Sequence, residues 1–505
     1  MSRNNTINKE ETLLKLKEGV DTLANVVKTT AGSQGRLILI GKKNGEPVVT
    51  KDGVTIAKLI ECNDPVANLG CKLLRQAAEL TVEQAGDSTT WTIIAAQKLF
   101  ELLSQIEPDN RRILLEQIED TTDKIVDMLY DDSKKITCVE DGIAIATISA
   151  NGNEEIGKLV GEVVWLAREN GVIQLEETDE DYTYAHQEKG SRYNRPYEFK
   201  ALLGSKQVKI AYNNPHVIVV NHEIDNLQEI ASYVQQSQDV QKPLVIFAKD
   251  FSNIVISNLV HNYQANGLKV LPLIIPGHGD EKNEYYQDIL SLSQEDNIDR
   301  IVADKMGFTI FSNGITKPLT ARIEFLEAQI EQEESPYIKE GLETRLSTLC
   351  QKVFTINVGA ASNVERLELK DRVEDAILAT RCAVEDGYVL GGGLALRNIA
   401  NRLGSNEGEC ILKEVCLSGY KQILENAHLD EPITYTEEEG INTSNGQLEN
   451  FYESRIIDPT VAIVSGLINA VSVIKSILSI NGTVLENPNN NKRPVFKEGF
   501  GWVEE

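Results

Sequence analysis

The chain has 505 residues, and 50 Lys and Arg against 77 Asp and Glu leave a formal net charge of −27. That length exceeds what one hydrophobic core organises, so more than one domain is expected. Hydrophobic residues at 41% and charged residues at 25% exclude a disordered or fibrous chain. The acidic balance argues against a nucleic-acid surface, which needs a basic footprint, and against docking on an anionic membrane.

The first residues, MSRNNTINKEETLL, are polar and predict no signal peptide. Residues 10–28 predict an amphipathic helix, because Leu13, Leu16, Val20, Leu23 and Val27 recur in steps of three and four. The loop TTAGSQG at 29–35 leads into a short strand, Arg36–Ile40. Residues 66–105 read as helix, broken by AGDST at 85–89. Asp87 and Ser88 suit the N-cap of the apolar run that follows. The first 130 residues or so are thus mostly helical. From about 189 to 310 the pattern changes. VIVV at 217–220, LVIF at 244–247 and LKVLPLII at 268–275 are strand candidates, alternating with helix candidates at 226–238 and 251–264. That alternation is an α/β signature. Residues 318–349 predict two charged helices broken near Ser335–Pro336. Helices at 363–385, 393–403, 408–427 and 459–480 follow, then a polar, Asn-rich tail at 484–505. The run TVAIVSGLINAVSVI at 460–474 is too short to span a bilayer and reads as a buried helix. Helices at both ends with an α/β module inserted between them make a natural hinge.

The seven cysteines (62, 71, 138, 350, 382, 410 and 416) form no CxxC and read as reduced thiols, so a cytoplasmic setting is expected. The six histidines show no metal spacing.

Six stretches carry chemistry. GDSTT at 86–90 opens a helix, whose N-terminal amides suit phosphate; it also reads as a bare capped helix. Asp87 offers the hard oxygen that Mg²⁺ takes beside phosphates. TAGSQG at 30–35 is either an ordinary turn or a place for close backbone approach, and KDGVT at 51–55 is by itself a hairpin turn. In RVEDAILATR at 372–381, Asp375 sits on a helix whose opposite face is apolar, which alone reads as a solvated charge. The triplet Gly391–Gly393 is a flexible connector or a ligand contact, and IIDPT at 456–460 is an N-cap followed by Pro.

Taken in order, TAGSQGR, KDGVT, AGDSTT, TISAN (147–151), PGHGD (276–280), NVGAAS (357–362), RVEDAILATR, EDGYVLGGGLAL (385–396) and IIDPT resemble the group I (GroEL-type) chaperonins from about residue 10 to about 485. The resemblance implies a multidomain α and α/β chaperonin fold. A mostly helical equatorial domain falls at 1–132 and 386–505, a hinge-like intermediate domain at 133–188 and 354–385, and an inserted α/β apical domain at 189–353. It implies an ATP-dependent chaperone: a homo-oligomeric ring, taken as heptameric, that hydrolyses ATP with Mg²⁺ (and K⁺ as a second cation) and binds non-native polypeptides.

Carried onto this sequence, the resemblance puts Thr30, Ala31, Gly32, Ser33, Lys51, Asp87, Ser88, Thr89, Thr90, Trp91, Ser149, Gly392, Asn442, Thr443, Ser444 and Asp458 at the nucleotide. Asp87 would be the metal ligand. Asp375 would position the attacking water with help from Asp52. Phosphoryl transfer asks little more of a protein than that orientation and charge neutralisation. Polypeptide would be gripped by Tyr197, Ala231, Val234, Ile256 and Val260.

The chain also departs from the family pattern. Ser33 stands for Pro and Gln34 for a basic residue. Ser88 stands for Gly, where a positive φ would strain it. Trp91 stands for Thr, and either points into the core or reshapes the pocket. His261 replaces an apolar position, the loop at 196–203 is shorter, and FKEGFGWVEE replaces a flexible Gly/Met tail. These mark a diverged member, of the sort a large virus carries, and leave binding of a co-chaperonin lid open. They also favour an alternative, a ring scaffold or holdase with slow or no hydrolysis.

Overall fold

The computed structural model describes residues 5–41, 48–106, 108–168, 171–194, 209–304, 306–333, 335–350, 352–432, 436–485, 494–497 and 501–504. It divides into two compact units, Met1–Trp165 with Leu367–Glu505, and Leu166–Arg366.

The first unit is a helical body. Helix α1 (Lys9–Val27) begins where the Asn8 side chain accepts from Glu11 N. Its stripe of Leu16, Val20, Leu23 and Val27 is buried. Helix α2 (Gly53–Leu59) is short. Helix α3 (Pro65–Ala85) starts at Asp64, whose carboxylate accepts from Val66 N and Ala67 N, with Pro at the first helical position. Helices α4 (Thr89–Ser104), α5 (Pro108–Asp131), α6 (Val139–Ser149) and α7 (Glu154–Ala167) follow. The chain returns through α13 (Asn363–Asp386), α14 (Leu394–Arg402), α15 (Glu407–Ala427) and α16 (Thr460–Ser479). One core joins α1, α3, α4, α5, α14, α15 and α16, including Leu23, Leu74, Phe100, Ile118, Leu396, Leu412 and Leu467. Helix α16 is apolar enough for a membrane by length and composition, with a mean hydropathy of 2.0, but 67% of its apolar window is buried against its neighbours. Around this body run small antiparallel pairs: β1 (Asn5–Ile7) with β19 (Thr483–Leu485), β2 (Ile38–Ile40) with β3 (Val48–Thr50), β15 (Tyr388–Leu390) with β18 (Ile457–Pro459), and the hairpin β16 (Glu439–Asn442) and β17 (Gln447–Asn450).

The second unit carries two sheets. The larger is mixed and six-stranded, with β4 (Gly171–Glu177), β14 (Lys352–Val358), β5 (Tyr184–Tyr193), β13 (Phe308–Ser312), β12 (Ile298–Asp304) and β6 (Lys209–Asn213) in that spatial order. The smaller is parallel: β11 (Val270–Ile274), β9 (Leu244–Ala248) and β7 (His216–Val219), linked through α8 (Leu227–Asp239) and α9 (Asn253–Asn266). Every residue of β9 is buried. Val245 and Phe247 join the core shared with the larger sheet, while Leu244, Ile246 and Ala248 join the one that holds Ile230 of α8 and Val255 of α9. Covered on both faces, the strand reads as an unbroken apolar run rather than an alternation.

Helices α10 (Glu281–Ser293), α11 (Lys317–Gln332) and α12 (Pro336–Leu349) complete the unit. Asp288 of α10 ties the three together. It is 1% exposed and accepts from Arg322 Nε at 2.7 Å and from Arg345 Nε at 2.8 Å.

The segments expected as a hinge are shared between the units. Helices α6 and most of α7 and α13 belong to the first, and β4, β5 and β14 to the second.

Candidate functional site

The GDSTT stretch makes a corner between α3 and α4. Gly86 ends α3 in the left-handed region, φ 69°. A Cβ there would come 2.7 Å from Asp375 O and 2.8 Å from Leu378 Cβ, so only glycine lets α13 cross at this point. Asp87 accepts from Ser88 N, and from the Ser149 hydroxyl at 2.8 Å. Ser88 precedes α4 at φ 71°, ψ 17°, and its side chain does not cap the helix. The positive φ expected for this position is therefore present, without glycine to relieve it. A non-glycine residue held there costs about 1–2 kcal/mol. Ser88→Gly should raise stability by about 0.5–1 kcal/mol net of the entropy glycine adds to the unfolded chain. A urea midpoint that stays put or falls would contradict this.

The KDG stretch is not a simple hairpin turn. Asp52 is the N-cap of α2, accepting from Val54 N at 3.3 Å and Thr55 N at 2.7 Å. A Cβ on Gly53 would lie 2.8 Å from Thr90 Oγ1 and 3.0 Å from Thr89 Oγ1, which sets this turn against the first turn of α4. Lys51 Nζ donates to Ser33 O at 3.2 Å. The Ser33 and Thr443 hydroxyls are hydrogen-bonded at 2.8 Å, joining the TAGSQG loop to the β16–β17 hairpin. In that hairpin Asn442 Oδ1 accepts from Ser444 N at 3.0 Å. Within the loop, the Thr30 hydroxyl is turned back to Val27 O, and Gly32 takes φ 80°. Asn426 of α15, which the sequence did not single out, donates from Nδ2 to both Lys28 O and Ala31 O. On the remaining side, Gly392 N donates to Asp458 Oδ2 at 3.1 Å.

Like charges converge here. Burial, then the charges of Asp52, Asp87, Asp371 and Glu374, push the Asp375 carboxyl up to about 8. Burial and Asp87 push Asp458 up to about 7, against the pull of the Gly392 N–H. Asp87 is raised by burial and by Asp52, opposed by its bonds from Ser88 and Ser149. Asp371, one turn before Asp375 on α13, is raised by burial and Asp52; sequence reasoning missed it because nothing local marks it. Burial lowers Lys51. Carboxylates crowded until they hold protons near neutrality are what a functional site displays, and a cation would relieve them. Among the described residues, no three His, Cys, Asp or Glu side chains converge to hold a metal by themselves. That donor set suits Mg²⁺, which binds through one or two carboxylates and completes its shell with water and phosphate oxygens.

One expected site residue, Trp91, is turned into the helical core. Its ring lies against the helix backbones of α15 and α16, where a Cβ on Gly419 or Gly466 would come within 2.9 or 2.8 Å of it. The indole packs on the helical core, so the inward reading holds. In the second unit, Val234, Ile256 and Val260 are all half-buried, the first two over one apolar cluster and Val260 over the core shared with the larger sheet, and Ala231 is exposed. Tyr197 lies outside the described residues.

The sequence model of the TCP-1/cpn60 chaperonin family matches residues 23–488. The chain belongs to that family. The fold agrees. The chaperonin gp146 from the bacteriophage EL 2 (Pseudomonas aeruginosa), crystallised in presence of ATP-BeFx, superposes with a TM-score of 0.71 in crystal form II, at 19% identity, over 96% of this chain and 100% of that one. Crystal form I gives 0.66 at 19% identity, over 95% and 99%. This chaperonin is thus a multidomain α and α/β chaperone of an ATPase family.

Proposed function

We propose that this chaperonin binds Mg-ATP in its first unit and couples hydrolysis to the handling of non-native polypeptide by its second. The observation that carries the reading is Asp375, raised to about 8 amid Asp52, Asp87 and Asp371 and crossing at Gly86 beside the start of α4. Phosphate oxygens would meet the first amides of α4, the Thr89 and Thr90 hydroxyls, and Lys51 once it leaves Ser33 O. Asp87 would hold Mg²⁺, which supplies charge neutralisation at the phosphates. Gly32, Gly392, Asn442, Thr443, Ser444 and Asp458 would enclose the nucleoside, with Thr30 and Ala31 contributing backbone. Asp375 would accept from the attacking water and hold it in line, with Asp52 assisting. In this reading 1–132 and 386–505 are the equatorial domain, 133–188 and 354–385, with α6, α7, α13, β4 and most of β14, the intermediate one, and 189–353 the apical one. A cytoplasmic homo-oligomeric ring and K⁺ as a second cation belong to the same proposal.

Nucleotide titration tests it. Asp87→Ala should weaken Mg-ATP binding at least about tenfold, roughly 1.4 kcal/mol; unaltered affinity would remove Asp87 from the metal. Hydrolysis that is absent in the wild type while binding persists would favour the scaffold reading, which the strained Ser88 supports.

The raised Asp375 also makes stability depend on pH. Without nucleotide, the folded chain holds a proton on Asp375 that the unfolded chain has released, in the window between its ordinary 3.8 and about 8. Folded protein then binds more protons, so stability falls as pH rises through that window. Asp375→Asn should flatten this fall between pH 5 and 8 in urea unfolding; an unchanged slope would contradict the crowding of these acids.

Polypeptide capture is expected at the α8–α9 surface. Val234→Ser should cost on the order of 1 kcal/mol of client binding and leave ATP hydrolysis unchanged. Undiminished capture of a denatured client would count against this surface.

A further inference from the structure

Two thiols stand together apart from the nucleotide-site residues. The Cys62 and Cys71 sulfurs are 3.2 Å apart. Cys62 is half-buried in the connector between α2 and α3, and Cys71 is buried on α3. The connector is not loose. Cys62 N donates to Asn68 Oδ1 at 3.1 Å, and the Arg75 guanidinium donates to Ala57 O at 2.7 Å and Ile60 O at 2.8 Å. Cys71 Sγ donates to Gly19 O at 3.1 Å. Bonded sulfurs stand about 2.05 Å apart, so closing a bond asks a shift on the order of 1 Å.

We propose that Cys62 and Cys71 form a reversible oxidation site, at which a hydroperoxide closes an intrachain disulfide across the α2–α3 connector. Cys62 is the accessible partner. Its thiolate attacks one oxygen of hydrogen peroxide, the O–O bond breaks, and the leaving hydroxide takes up the proton that the Cys62 thiol gave up, which leaves a Cys62 sulfenic acid and water. The Cys71 sulfur then displaces hydroxyl from the Cys62 sulfur. The S–S bond forms, and the Cys71 proton leaves with the hydroxyl as a second water. Two thiols lose two electrons and two protons, and the peroxide takes both. Burial, then the neighbouring Cys62, pushes the Cys71 thiol up to about 12, which makes the more accessible Cys62 the thiol that meets peroxide first. The bond would pin the segment joining Asp52-capped α2 to α3, the helix that ends at the Asp87 corner.

The test uses the full chain, hydrogen peroxide, N-ethylmaleimide and trypsin. Cleavage after Lys58 and Lys72 leaves both cysteines in one peptide, 59–72. The expected product is that peptide two hydrogens lighter, without maleimide, and returned by dithiothreitol to a form carrying two. Exposed Cys350 and Cys410 report the dose at which ordinary thiols react. In Cys71→Ser, dimedone should trap the Cys62 sulfenic acid; if that variant does not fold, the wild-type mapping decides alone. A peptide still carrying two maleimides at the control dose would overturn the proposal. So would Cys62 over-oxidised beside an alkylated Cys71.

Discussion

Asp375→Ala should bind Mg-ATP about as tightly as the wild type yet hydrolyse it at least about tenfold more slowly, a loss of roughly 1.4 kcal/mol of barrier lowering. Orienting the attacking water acts on the transition state and not on the bound nucleotide, so the deficit should fall on kcat alone. With its carboxyl raised to about 8, Asp375 is protonated at neutral pH before nucleotide binds, so its removal takes little charge from the site. Ground-state binding should therefore hold. Single-turnover hydrolysis beside nucleotide titration checks this. A parallel loss of affinity would reassign Asp375 to holding nucleotide.

Asp288→Ala should destabilise the second unit by about 3 kcal/mol. The carboxylate is 1% exposed, and both Arg322 and Arg345 are directed at it. Removing it leaves two guanidinium groups in a poorly solvated place. Glu284, at 2.9 and 3.2 Å from the same arginines, compensates in part, which keeps the loss at the low end for a broken buried pair. Native-state hydrogen exchange in α10, α11 and α12 of the full chain measures the loss, and unchanged protection would contradict it. Replacing Asp288, Arg322 and Arg345 together with apolar residues of similar volume should cost far less, because no charge is then stranded.

What the sequence made legible is what short stretches encode. The helices expected from 10, 66 and 318 and the break near Ser335–Pro336 fall within a residue or so of the observed starts, three of which are capped by Asn8, Asp64 and Thr316. The parallel strands around β9 were legible because burial on both faces leaves an apolar run. The six-stranded sheet was not. Strand β5, YAHQEKGSRY, carries charges that its setting satisfies: Arg192 pairs with Asp304 of β12, and Glu188 with Arg300 of β12. Those partners lie more than a hundred residues away, so the strand reads locally as polar. Asp52 was legible as a turn residue but not as the cap of α2. Asp375 shows the limit most clearly. On its helix it is an acid opposite an apolar face, and the larger causes that raise its pKa, burial and then Asp52 and Asp87, come from the fold and from residues distant in sequence. The motif order located it, and local pattern did not. Trp91 went the other way: Gly419 and Gly466, over three hundred residues on, make the space that takes its ring.

The most direct measurement is single-turnover hydrolysis of ATP by the wild-type chaperonin, with excess Mg²⁺ and again after chelation, beside Asp375→Ala. The account predicts hydrolysis that requires Mg²⁺ and falls at least about tenfold in the variant. Hydrolysis indifferent to chelation, or equal in wild type and variant, would contradict it.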